Sequence, residues 1–187
     1  MATVDELTQD AGRRMDRSVE AAHGEFNTVR TGRASPALLD RVNVDYYGQP
    51  TPLKQLATIS APEPRMLTVQ PFDPSSVKAI ERAIQESDLG LTPSNDGKLI
   101  RLPIPQLTEE RRKELVKVVR HMAEEGRVAV RNVRRDAIHH LKQLVDSGEV
   151  GADEEHRAEE HVQKLTDEHV ARIDDLLKHK EAEIMEV

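Results

Sequence analysis

Four arginines and a single acid share the stretch RVAVRNVRRDAIHH, residues 127–140. A guanidinium presents a planar fork of N–H donors that matches phosphate or carboxylate. The chemistry these residues offer is anion binding. On a helix turning about 100° per residue, with Arg127 at zero, Lys113, Lys117, Arg120, Arg131, Arg134, Arg135 and Lys142 all fall within an arc of about 100°. Between Lys113 and Lys142, Glu124 is the one acid inside it. Leu115, Val119, Met122, Val130, Val133, Ala137, Leu141 and Leu144 form a separate apolar face between about 220° and 320°, and Glu114, Glu125 and Asp136 mark a third face. Residues 127–142 hold 5 bases and 1 acid, whereas residues 146–187 hold 14 acids and 5 bases. The formal net charge is -7, so positive charge is segregated within an acidic chain.

Two readings of the stripe stay open. It can bind a phosphate backbone, or it can be a solvated face that pairs with the acidic C-terminal segment. Aromatic residues make up only 2 % of the chain, which disfavours stacking on unpaired bases. Recognition of structured RNA through its backbone suits the composition better.

No other chemistry is evident. The chain contains no GxxxxGK[ST], GxGxxG, GxSxG or HExxH sequence. Glu20-Ala21-Ala22-His23 is a lone ExxH, whereas a di-metal site in a bundle needs two and further glutamates. His156 and His161 fall on different helix faces, and adjacent His139 and His140 diverge. The histidines are therefore read as solvated. Ser35 has no evident base and reads as structural. Neither a catalytic set, nor a metal site, nor a cofactor is expected. The absence of cysteine excludes disulfides and cysteine-ligated zinc.

The elements that must carry the stripe follow from periodicity. Leu7, Ala11, Met15, Val19, Ala22, Phe26 and Val29 recur three or four apart and predict a helix over 4–29. RTGRASP then stops it. The prolines all lie between Pro36 and Pro105. In that region Val42, Val44 and Tyr46 alternate as in a strand, and residues 47–50 suggest a turn. Residues 66–69 suggest a second strand. A short helix follows from Asp73-Pro74-Ser75, with Val77, Ile80, Ala83 and Ile84 inward and Leu89-Gly90 closing it. Ser94-Asn95-Asp96-Gly97 predicts a hairpin turn before a strand ending at Leu102. Thr108 is placed as the cap of a helix from 109 to about 145, and Asp153 as the cap of another running to about 185. Val162, Leu165, Ile173, Leu176, Leu177 and Ile184 face inward on the last helix.

Each long helix has an apolar face it cannot bury alone. The expected fold is α+β: an elongated three-helix bundle of residues 1–30 plus 106–187, with a small β/α/β domain, residues 31–105, inserted after the first helix. The expected two-strand hinge comprises Arg30, Thr31, Gly32 and Arg33 on one crossing and Leu102, Pro103, Ile104 and Pro105 on the other. No apolar run approaches the roughly 20 residues that span a bilayer. The polar N-terminus does not read as a targeting signal, so a soluble cytoplasmic protein is expected.

RTGRASPALLD at 30–40, YYGQPTPLKQLA at 46–57, SDLGLTP at 87–93, LPIPQLTEERRKEL at 102–115 and RVAVRNVRRDA at 127–137 resemble the bacterial ribosome recycling factor family. VQKLTD through KEAEIMEV is similar too, so the resemblance runs nearly end to end. It implies a non-enzymatic role after translation termination. Such a protein binds the large ribosomal subunit and, with GTP-bound elongation factor G, splits the post-termination ribosome to release mRNA and tRNA. It implies a monomer whose bundle lies against large-subunit rRNA, with neither DNA nor membrane as partner. Arg131 and Arg134 match the family's principal rRNA-contacting positions. Arg127, Arg135, Arg120 and Lys117 are supporting charges, and Arg30 a further contact or a hinge clamp. Arg30 and Arg33 match the family's RTGR linker. Hydrolysis of GTP belongs to the partner.

Overall fold

The computed structural model describes residues 2–186, so Met1 and Val187 of the expected bundle lie outside it. The chain is α+β and mostly helical, and it divides into two compact units. One comprises residues 2–30 and Glu109–Glu186; the other is Thr31–Thr108.

The first unit is built from α1 (Val4–Asn27), α4 (Glu109–Asp146) and α5 (Ala152–Met185). At about 1.5 Å per residue, α4 is roughly 57 Å long. α1 opens on a capping box: Thr3 Oγ1 accepts from the Glu6 N–H, and the Glu6 carboxylate accepts from the Thr3 N–H. α4 ends where the sequence supplies glycine. Gly148 adopts φ +76°, its N–H donates to the Val145 carbonyl, and the Glu149 N–H donates to the Leu144 carbonyl. These paired bonds satisfy the last carbonyls of the helix. Gly151, rather than Asp153, occupies the N-cap of α5, without a side-chain hydrogen bond. Three acids in the first turn, Asp153, Glu154 and Glu155, favour the positive end of the helix dipole instead.

Met15, Val19, Ala22 and Phe26 of α1 pack with Leu115, Val119, Ala123, Val130 and Leu141 of α4 and with Val162, Ile173 and Ile184 of α5. Gly126 marks a close approach of all three helices. A Cβ there would lie 3.1 Å from Ala22 Cβ and 3.2 Å from Ile173 Cδ1. Two core positions of α5 are polar, Thr166 and His169, and both are buried. Leu165, Leu176 and Leu177 are only half-buried.

The second unit has more strands than the sequence suggests. β1 (Asn43–Tyr46) and β2 (Gln49–Pro52) form an antiparallel hairpin. Its two-residue loop, Tyr47 at φ 50° and Gly48 at φ 81°, has the doubly left-handed geometry that suits the strand twist. After the short α2 (Leu53–Leu56) come β3 (Ala57–Glu63), β4 (Met66–Pro71), α3 (Val77–Gln85), β5 (Ser94–Asn95) and β6 (Ile100–Pro103). Their antiparallel sheet has the order β3-β4-β6-β5. Ser94 and Asn95 belong to β5, so the turn shifts to Asp96–Leu99, where Asp96 Oδ1 accepts from the Lys98 and Leu99 N–H groups. α3 ends at Gln85, ahead of Leu89-Gly90. Val77, Ile80 and Ile84 of α3 join Leu67, Val69, Ile100 and Leu102 in one core.

Leu102 and Pro103, read from sequence as linker, lie within β6. Leu102 and Ile104 are buried while Pro103 is exposed, and the Ile104 N–H donates to the Arg65 carbonyl at 2.8 Å. The unit boundary falls after Thr108 rather than Pro105. Gly32, at φ +74°, lies beside the returning chain. A Cβ on it would meet Leu107 Cγ at 3.3 Å and the Pro105 carbonyl at 3.5 Å.

Candidate nucleic-acid interface

The stripe lies along α4, whose core face is held by α1 and α5, so its side chains project from a rigid helix. Its arginines do not share one fate. Arg120 Nε donates to Glu181 Oε1 on α5 at 2.6 Å. Arg127 meets Asp174 Oδ1 through Nε at 2.8 Å and Nη2 at 2.7 Å, and Glu124 Oε2 through Nη1 at 3.0 Å. Its side chain is only 21 % exposed. Burial lowers the Arg127 pKa, but the Asp174 and Glu124 carboxylates more than offset this, and the net shift is upward. The acidic last helix thus claims this part of the stripe as a structural seam, as the second sequence reading allowed.

Further along α4 the pairing weakens. Arg131 has a single 3.2 Å contact with Glu124, whose pKa is held below the ordinary glutamate value first by Arg127 and then by Arg131. Arg134 Nη1 donates to a neutral acceptor, Gln163 Oε1, at 2.8 Å. Arg135 and Lys142 are exposed and, among the described residues, meet no carboxylate. Lys117 is likewise exposed without one, toward the start of α4, while Lys113 pairs with Glu109 at 2.9 Å. Beyond Arg127, the charge without a carboxylate partner among the described residues therefore lies at Arg134, Arg135 and Lys142, and Arg131 is paired only with Glu124 of its own helix. Arg30, exposed just beyond α1, also meets no carboxylate among the described residues, but it lies off the α4 stripe in sequence.

The acidic face of α4 has partners as well. Asp136 Oδ2 accepts from Arg14 Nη2 of α1 at 2.9 Å, and Arg14 holds the Asp136 carboxyl below its usual range. His139 and His140, beside it, are exposed, with ring centroids 5.8 Å apart. His140 Nδ1 lies 2.7 Å from the Asp136 carbonyl oxygen and His139 Nε2 lies 3.2 Å from Gln143 Nε2.

Histidine 169 corrects the reading of these residues as solvated. Its side chain is 7 % exposed, and Nε2 lies 2.7 Å from Asp16 Oδ1 on α1. Nδ1 lies 2.6 Å from the Leu165 carbonyl oxygen. Arg172 Nη1 donates to the same Asp16 oxygen at 2.8 Å. The hydrogen bond with His169, then that from Arg172, lowers the Asp16 pKa. Sequence spacing offered a signal: His169 follows Val162 and Thr166 and precedes Ile173 at intervals of three or four. Its polar identity concealed it. No group of three or more His, Cys, Asp and Glu side chains among the described residues is disposed to hold a metal ion. No helix among them is long and apolar enough to cross a membrane.

The arrangement can bind a run of phosphates along one rigid helix. It contains no pre-assembled nucleophile, base or oxyanion cradle at the stripe.

Comparison with known proteins bears on the family to which the chain belongs. The family model described as ribosome recycling factor matches residues 22–185. The ribosome-recycling factor of Rubrobacter xylanophilus is 61 % identical over 178 residues, covering 95 % of this chain and 96 % of its own. That of a Geobacillus species is 55 % identical over 184 residues, covering 98 % and 100 %. A solution structure of the ribosome recycling factor matches with a TM-score of 0.73 at 43 % identity, over 100 % of both chains. A second structure matches with a TM-score of 0.63 at 50 % identity, over 99 % of this chain and 100 % of its own. It is described as models for the Thermus thermophilus recycling factor and Escherichia coli elongation factor G bound to the post-termination complex. With this agreement along almost the whole sequence and in three dimensions, the chain belongs to the ribosome recycling factor family.

Proposed function

We propose that this chain recycles ribosomes after termination by anchoring its bundle to large-subunit rRNA, so that GTP-bound elongation factor G can drive the small unit and split the subunits. Family membership supports the process, and the relative placed with elongation factor G on a post-termination complex supports the partner. The observation that carries the anchor is the uneven neutralisation of α4. Arg120 and Arg127 are consumed by α5 carboxylates, whereas Arg134, Arg135 and Lys142 meet no carboxylate among the described residues and Arg131 shares only Glu124 of its own helix. Arginine's fork suits phosphate oxygens, and backbone contacts fix position without reading sequence.

In this mechanism the chain catalyses no bond change. Arg131 lies about 22 residues along α4, roughly 33 Å from its start, so the anchor is remote from the crossings between the units. The crossings permit the small unit to move, with Gly32 in the first and residues 105–108 in the second as the flexible points. The partner supplies GTP hydrolysis. Subunit splitting followed by light scattering, with purified post-termination ribosomes, cognate elongation factor G and GTP, tests this reading. The native chain should accelerate splitting, and Arg134→Glu should slow it at least about tenfold without unfolding the bundle. Splitting no faster than with elongation factor G and GTP alone would overturn it.

A further inference from the structure

Arg120, Arg127 and Arg134 stand seven residues apart on α4 and lean toward α5. The first two meet carboxylates, Glu181 and Asp174, which are themselves seven apart on the antiparallel partner. Continuing that series reaches Asp167. Yet Arg134 meets Gln163, one turn away. Gln163 Nε2 donates to Asp167 Oδ1 at 2.9 Å, while its Oε1 accepts from Arg134 at 2.8 Å. The two partners determine which way the amide faces. A flipped amide would turn N–H toward guanidinium and oxygen toward carboxylate.

We propose that Gln163 is a positioning residue for phosphate binding: it aims the Arg134 guanidinium through a neutral acceptor and holds the Asp167 carboxylate away from it. The inference rests on the reading of Arg134 as part of the rRNA anchor. A carboxylate on Arg134 would compete with phosphate for the same donors and would add a charge–charge attraction that the neutral amide lacks. The amide occupies one of five donors and leaves the charge intact. The geometry carries a cost that structure alone does not explain. Arg134 Nε is buried and finds no acceptor among the described residues. Its neighbours in the series, Arg120 and Arg127, both use Nε in an ion pair.

The test is Gln163→Glu, which gives Arg134 a carboxylate in nearly the same volume. Binding to purified large ribosomal subunits is measured over a salt series, alongside thermal unfolding. The expected result is affinity about tenfold weaker, a slope of log affinity against log salt shallower by about one, and an unchanged unfolding midpoint. A residue that only stabilises the bundle would not move the slope. In an Arg134→Ala background the same substitution should have no further effect, since it acts through Arg134. Wild-type binding by Gln163→Glu, or an equal loss in the Arg134→Ala background, would overturn the inference. If Arg134→Glu binds normally, the anchor reading itself falls. If Arg134→Glu is weak but Gln163→Glu is normal, only the role of Gln163 falls.

Discussion

Asp16 joins α1 to α5 by accepting from both His169 and Arg172 through one carboxylate oxygen. Asp16→Ala strands the buried His169 Nε2 and should cost about 1–3 kcal/mol of stability at neutral pH. The folded-state pKa of Asp16 is depressed by His169 and then Arg172. Its contribution is therefore complete above the ordinary carboxyl value of 3.8 and disappears as pH falls through the lower folded value. Urea unfolding of native chain and variant from neutral to acid pH should show the stability difference closing only at the acid end. The same residues show why part of the site was illegible in the sequence. The stripe could be projected from spacing alone, because every basic residue was visible. Which arginines α5 neutralises depends on helix register, and spacing within α4 contains no information on that. His169 was missed because a polar residue at a core position reads as a surface residue until a partner 153 residues away is known.

The three long helices were legible because each carries an uninterrupted apolar face and a stop signal. The strands of the small unit were less so. β3 contains Ala61-Pro62-Glu63 and lies at a sheet edge, where proline costs no ladder hydrogen bond, so its sequence does not alternate as a buried strand's would. β5 is two residues long and forms only by pairing with β6. Gly126 was equally silent: nothing in the spacing marks it, yet it is a packing requirement. Gly126→Val should destabilise the bundle by about 1–3 kcal/mol, because its side chain must displace α1 at Ala22 as well as the movable end of Ile173. Ala22→Gly in the same chain should recover part of the loss. Urea denaturation of the two variants checks both signs; an unaltered midpoint for Gly126→Val would mean that the helices do not approach as described.

For the whole molecule, the proposed division of labour is an anchored bundle and a small unit that elongation factor G pushes. Gly32 lies just past the first crossing between the units, which follows Arg30. A β-branched residue there is strained at φ +74° and its Cβ crowds Leu107, at a cost on the order of 1–3 kcal/mol. Gly32→Val should slow splitting by elongation factor G more than it weakens subunit binding, as pre-steady-state splitting and equilibrium binding measured together would show. Equal losses would assign Gly32 a folding role instead. The central claim, that α4 is held to rRNA phosphates by the arginines α5 leaves unneutralised, is tested most directly by a salt series of binding to purified large subunits. With about four phosphate contacts, native affinity should fall on the order of a hundredfold from about 50 to about 200 mM salt, and Arg134→Glu should be weaker throughout with a shallower slope. Affinity indifferent to salt, or an Arg134→Glu curve superimposed on the native one, would contradict it.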